Sequence, residues 1–290
     1  MKLASLALLL AIGGTAAANP RVTVAPKIAH PGDAVLVTVT GSKDLPKGTA
    51  NGTALEFFAA KSGYQALIAI PLDAKAEPMS VEIESAKLPV AVPIQAKTFA
   101  ETSVIVEDEL ANPPKADRDR IDADNGAIIA AVSKGKGKGT PQFTRAFKRP
   151  PGEVTSPFGE WRTFNDGHRS QHLGTDLFAT EASPVKAANA GTVTLVRDTF
   201  LAGNTVVIAH GGGIATAYYH LSKVTVAEGD VIAQGAQVGL AGHTGRATGP
   251  HLHISVRVPG GWVDPATFFK LAISPPRALA TATATRSLAD

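Results

Sequence analysis

Cysteine is absent from the 290-residue chain. Disulfide frameworks and thiol nucleophiles are excluded, and any metal has to be held by His, Asp or Glu. Charged residues are sparse at 18% and aromatic residues at 6%, while apolar residues make up 44%. That balance belongs to a globular chain rather than a disordered one. Lys and Arg total 28 against 25 Asp and Glu, for a formal net charge of +3. Such a small excess gives no reason to expect a nucleic-acid partner. Long apolar runs are also missing: residues 3–12 form a run well short of the roughly 20 that span a bilayer.

That short run reads as an export signal. Met1 and Lys2 supply a positive end, and Ala16, Ala17 and Ala18 form an A-x-A cleavage pattern before Asn19. The expectation is removal of residues 1–18, location in the periplasm or at the cell wall, and no membrane span afterwards. The 28 glycines and 20 prolines favour strands and turns over long helices.

Residues 19–100 alternate apolar and polar side chains, as at Val35, Val37 and Val39. Further strands are expected at Val22 and Val24, at Leu55-Glu56-Phe57, and over 64–70, 81–83 and 90–94. Together these predict a β-sandwich-like accessory domain. Residues 101–151 read as a helical and Gly/Lys linker. Ile121, Ile128 and Val132 fall on one helical face, with Asp117 as a cap, and SKGKGKG follows at 133–139. Residues 152–272 return to short strands at 191–196, 204–209, 214–220, 230–232 and 251–258, without a βαβ rhythm. Gly211, Gly212 and Gly213 mark a hairpin between two of them. Residues 273–290 read as a disordered tail rich in Ala and Thr. The fold class expected is mostly β, ending in an antiparallel sheet domain.

Seven of the eight histidines lie between His168 and His253. On a strand, residues two apart share a face, so His251 and His253 present two imidazoles side by side. A catalytic zinc ion takes three protein ligands and keeps one open position. His172 and Asp176, brought in from a neighbouring segment, would complete such a site. Each piece alone also reads blandly: His172 and Asp176 as a surface pair, His220 as a satisfied core histidine. The helical HExxH arrangement is absent.

Taken in order, the pieces resemble the M23 family of zinc metallopeptidases, the lysostaphin and LytM type. HLGTD matches its H-x-x-x-D motif, YYHLS its Y-x-H-L segment, and TGRATGPHLH its closing H-x-H. SPFGEWRTFNDGHRSQHLGTD resembles the domain's start, and the likeness covers about 154–264. The resemblance implies zinc ligands at His172, Asp176 and His253, and catalytic histidines at His220 and His251. It implies an exported endopeptidase acting on peptidoglycan peptides, often at the D-Ala–diaminopimelate cross-link. Arg162, one place later than the family arginine, Tyr218 and Thr244 are expected in the substrate groove, with Asn165 and Arg169 as weaker candidates. The accessory region is expected to position the enzyme, cover the groove or bind a regulatory protein. The other reading is a non-catalytic or weakly active wall-binding regulator. After H-x-H many members continue with an aromatic residue and a glutamate, whereas this chain has Ile254 and Ser255.

Overall fold

The computed structural model describes residues 20–134, 140–165 and 167–274. The expected signal at 1–18, residues 135–139 of the Gly/Lys run, and the tail from 275 lie outside the described residues. Among the described residues no helix is long and apolar enough to cross a membrane.

The alternating valines form the strand Ala34–Thr40, second in an antiparallel sheet ordered Arg21–Ala25, Ala34–Thr40, Gly63–Ala69, Phe58–Ala60. A second sheet runs Thr53–Ala54, Gly48–Ala50, Met79–Ile83, Val90–Val92. Val35, Val37, Val39 and Ile68 from the first sheet meet Val81, Ile83 and Val92 from the second in one apolar core. Leu55-Glu56-Phe57 is not a strand. The chain crosses there from the second sheet to the first, and Leu55 is buried in the core between them.

The opposite face of the first sheet is buried as well. Leu36, Leu67 and Phe58 pack on Phe143, Ile214, Val256, Val258 and Phe268. This two-sided burial explains the apolar run Ala34–Val37, since a sheet covered on both faces needs no polar side. Phe143 is fully buried at this seam, edge-on to Phe58 at 5.9 Å and tilted on Phe147 at 5.1 Å between ring centroids.

The larger sheet orders Val154–Ser156, Thr175–Phe178, His251–Val258, Ile214–Leu221, Gly203–Gly211, Gly191–Thr199 and Val231–Ile232, with Gly261–Val263 paired to His251–Val258. Its pairings are antiparallel throughout. Gly212 and Gly213 turn the hairpin at φ +61° and +77°, values that glycine adopts without strain. His210 ties this hairpin inward: Nδ1–H donates to the Ala190 carbonyl, and Nε2 lies 2.8 Å from the Thr216 hydroxyl.

The helix between the two β regions is Lys115–Ser133. Asp117 does not cap it; the N-cap is Pro114, which offers no side-chain acceptor. Ile128, Ala131 and Val132 pack on Leu195, Val207, Ala215 and Ala217 of the large sheet, while Ile121 is only half-buried. Buried Asp124 anchors the helix by accepting from Arg197 Nε at 2.7 Å and from the Phe200 backbone N–H at 2.8 Å. Gly126 is tolerated on the outer surface, where an added Cβ would meet nothing within 4 Å. Upstream, Glu101–Val104 pairs in parallel with Trp161–Phe164. Residues read as linker thus form walls of the larger unit.

Truncating Phe143 to Ala is expected to cost about 3–5 kcal/mol, as for other buried aromatic deletions. Urea denaturation of the variant tests this, and a loss below about 1 kcal/mol would show that the seam is not packed as described.

Candidate metal centre

Strand pairing collects the histidine groups. His251–Val258 lies between Thr175–Phe178 and Ile214–Leu221. In this register Asp176 faces His253 from one side and Tyr219 faces it from the other. Alternation sends Leu252 and Ile254 into the core and leaves His251, His253 and Ser255 on the other face. His172 enters from the turn after Arg169–Gln171, and Gly174 makes the close approach fit. A Cβ there would collide with His253 Nε2 and Ser255 Oγ.

His172, Asp176 and His253 converge. Asp176 Oδ1 stands 3.1 Å from His172 Nε2 and 2.9 Å from His253 Nδ1, and these two nitrogens are 2.9 Å apart. The groups around them fix which atoms face inward. His172 Nδ1 lies 2.9 Å from the Pro157 carbonyl and 3.2 Å from Arg162 Nη2; with Nδ1–H donated to the nearer carbonyl, which can only accept, Nε2 keeps the lone pair. His253 Nε2 is 3.0 Å from Ser255 Oγ. With Nε2–H donated to that hydroxyl, Nδ1 is bare as well. Tyr219 contacts Ser255 from the far side, and burial raises its phenol above the ordinary range.

Arg162 braces the carboxylate. Its Nη2 donates to Asp176 Oδ2 at 2.5 Å and to Ser156 Oγ at 2.6 Å, while Nε donates to Glu160 Oε2 at 3.1 Å. Burial by itself raises Glu160, but hydrogen bonds from Ser156 and Arg162 outweigh it and leave the carboxyl below its usual range. His253 is pushed down to about 4, chiefly by burial, so its ring is neutral at neutral pH.

This donor set fits a metal ion. Three acceptor atoms face one another with no proton between them, and Asp176 Oδ1 is buried with no hydrogen-bond partner among the described residues. Two imidazoles and one carboxylate on the wall of the cleft are a donor set that would suit zinc.

His220 and His251 border the same centre without joining it. Their ring centroids are 4.9 Å apart, and His220 lies 5.9 Å from His253. Nδ1 of His220 donates to the Thr244 carbonyl and Nδ1 of His251 to the Gly249 carbonyl, each at 2.8 Å. Both rings therefore keep a bare Nε2. His220 has φ +58°, a strained value for a residue other than glycine. It sits at a bulge, since Val206 pairs with Tyr218 but Asn204 pairs with Leu221. The extra residue breaks the alternation and lets Tyr219 and His220 both line the cleft. Burial, then the nearby His253 and His251, push His220 down to about 3.

Two groove expectations, Tyr218 and Thr244, are corrected by the geometry. Tyr218 is fully buried, its phenol accepting from Ala188 N–H at 2.7 Å, because the strand turns it to the core side. Thr244 spends its hydroxyl on the Leu221 carbonyl at 2.9 Å, and its carbonyl orients His220. Arg162 does line the cleft, but its donors serve Asp176, Ser156 and Glu160. Asn165 and Arg169 hold the upstream wall instead. Asn165 exchanges two hydrogen bonds with the Val106 backbone, and Arg169 pairs with Glu101 at 2.5 Å. His168 stacks on Phe164, and His243 pairs with Glu181 at the surface.

The cleft above the centre holds about 450 Å³. Val104, Val106, Ile128 and Ile129 form its apolar wall, and Phe164, Arg246 and Trp262 border it elsewhere. Sequence reasoning gave no site role to Tyr219, Ser255 or Arg246. Ser255 carried a signal, since it stands two residues after His253 on the same strand face.

Comparison with known proteins gives a consistent result. Residues 170–265 match Peptidase family M23. This stretch is an M23 peptidase domain. The peptidoglycan DD-endopeptidase ShyA of Vibrio cholerae is 39% identical over 128 residues, covering 42% of this chain and 30% of that protein. The DD-carboxypeptidase/endopeptidase Mpg of Neisseria meningitidis is 40% identical over 115 residues, covering 39% of this chain and 26% of that protein. The chain thus spans about a third or less of the length of these curated relatives. A crystal structure from Pseudomonas aeruginosa classed with peptidase M23 superposes over 84% of this chain and 95% of its own, with TM-score 0.63 and 27% identity. The fold likeness therefore extends beyond the M23 domain into the accessory region.

Replacing Ser255 with Ala removes the partner of His253 Nε2. The M23 domain should then bind zinc about 10- to 100-fold more weakly. Competition with a chromophoric chelator measures this, and unchanged affinity would show that Ser255 does not orient the ring.

Proposed function

We propose that the chain is an exported zinc metalloendopeptidase that hydrolyses peptide cross-links of bacterial peptidoglycan, at the D-Ala–diaminopimelate bond. One observation carries the reading: three metal-ligand atoms and two bare imidazole nitrogens face a single cleft. The activities carried by the names of the relatives, DD-endopeptidase and DD-carboxypeptidase/endopeptidase, support the choice of bond. The amino-terminal signal pattern supports export.

His172, Asp176 and His253 would hold the ion, with Arg162 fixing the carboxylate. When bound, zinc supplies Lewis acidity, which brings the pKa of a water toward about 7 and polarises a carbonyl. Nε2 of His220 or His251 accepts the proton released as the amide is attacked. The imidazolium so formed keeps its Nδ1–H on the Thr244 or Gly249 carbonyl, which steadies the charge and holds the ring in place. The same Nε2 proton then passes to the departing amine. The apolar wall at Val104, Ile128 and Ile129 limits water at the far side of the cleft. With all five residues in place, nothing here favours the reading as a non-catalytic regulator.

Digestion of purified peptidoglycan by the chain from Asn19 onward, with products read by mass spectrometry, tests the proposal. Cross-linked dimers should become monomers, stop doing so with chelator, and resume when zinc is restored. His220→Ala should retain zinc and lose about 10²- to 10⁴-fold in turnover, whereas His172→Ala should lose zinc. Dimers left intact by the zinc-loaded protein would refute the activity.

A further inference from the structure

Arg246 is the charged residue of the cleft that the metal centre leaves unused. Its guanidinium lies over the Phe164 ring, 3.8 Å from the centroid. Among the described residues it has neither a carboxylate partner nor a side-chain hydrogen bond. Among the described residues Asp176 is the sole acid lining this cleft, and its outer oxygen is taken by Arg162. Burial, with Arg162 nearby, lowers the Arg246 pKa to about 10, so the group is still a cation at neutral pH.

A half-buried guanidinium without a counter-ion is costly, and an anionic ligand relieves that cost. The planar fork suits a carboxylate, which it can grip with two parallel hydrogen bonds. The backbone holds Arg246 in place for this. Its N–H donates to the Leu201 carbonyl at 2.7 Å, and the Thr244 hydroxyl accepts from Asn204 N–H at 3.0 Å. The same loop carries the carbonyl that orients His220 and leads into His251. A group gripped by Arg246 would therefore be registered against the metal centre through only a few residues.

We propose that Arg246 is a specificity residue that binds a free carboxylate of the substrate next to the scissile amide. The inference rests on the peptidase reading above and deepens it: the substrate class becomes a peptide whose amine-side residue carries an unamidated acid. In a D-Ala–diaminopimelate bond that acid is the carboxylate on the carbon bearing the amide nitrogen. A neutral glycine bridge has no such group.

The test is binding to the metal-free full chain, which keeps it independent of turnover. Two probes are titrated by calorimetry: the D-Ala–diaminopimelate dipeptide with that carboxylate free, and the same dipeptide with it amidated. The native protein should bind the acid about 10- to 100-fold more tightly, the range of a charge-assisted pair. Arg246→Met, which keeps the stem over Phe164, should bring this ratio to about one, and Arg246→Lys should retain part of it. A native ratio near one, no binding of either probe, or a preference that survives in Arg246→Met would overturn the proposal. Should Arg246→Met fail to fold, the native ratio measured at low and high salt decides, because the preference must shrink as salt rises. A clear preference combined with uncut wall dimers would leave the carboxylate site standing and reject the hydrolase reading.

Discussion

Three acceptor atoms held within about 3 Å of one another, each short of a proton, are the constraint around which the large sheet is organised. Bare lone pairs at that spacing repel, so every one needs an outside anchor. Arg162 grips the carboxylate, the Pro157 carbonyl fixes His172, and Ser255 fixes His253. The register Asp176 opposite His253 makes the arrangement a property of the backbone rather than of flexible side chains. A cation at the centre turns the repulsion into attraction, which links metal binding to the rigidity of two strands and a turn.

The accessory region and the segment after it serve this centre mechanically. The first sheet is buried on both faces, which joins the accessory sandwich to the large sheet through Phe58, Phe143 and Phe268. The parallel pairing of Glu101–Val104 with Trp161–Phe164, locked by Asn165 and Arg169, sets an apolar wall beside the ligands. The cleft therefore has a polar floor built by the M23 domain and an apolar side contributed by residues that precede it. A peptide entering it meets both.

Much of this was legible in the chain, where local pattern and geometry coincide. His251 and His253 share a strand face by parity alone, and the valines of Ala34–Thr40 announce a strand. The misreadings arise where tertiary structure breaks a local rule. Tyr218 and Tyr219 exchange roles because parity depends on where the strand sits, and a bulge with positive φ carries His220 around to the cleft. Leu55 looks like a strand residue because burial in a crossing between sheets demands the same apolar side chain. Thr244 acts through its carbonyl, which no side-chain reading can detect. Residues 101–104 have the composition of a linker, and their strand exists through a partner 60 residues away.

The central claim is that His172 Nε2, Asp176 Oδ1 and His253 Nδ1 are ligands while His220 and His251 are not. Diffraction from zinc-loaded crystals on both sides of the zinc absorption edge tests it most directly. The account predicts one anomalous peak at about 2.0–2.2 Å from those three atoms, with the rings of His220 and His251 outside bonding distance. A peak bonded to His220 or His251 in place of one of the three, or none at this centre, would contradict it.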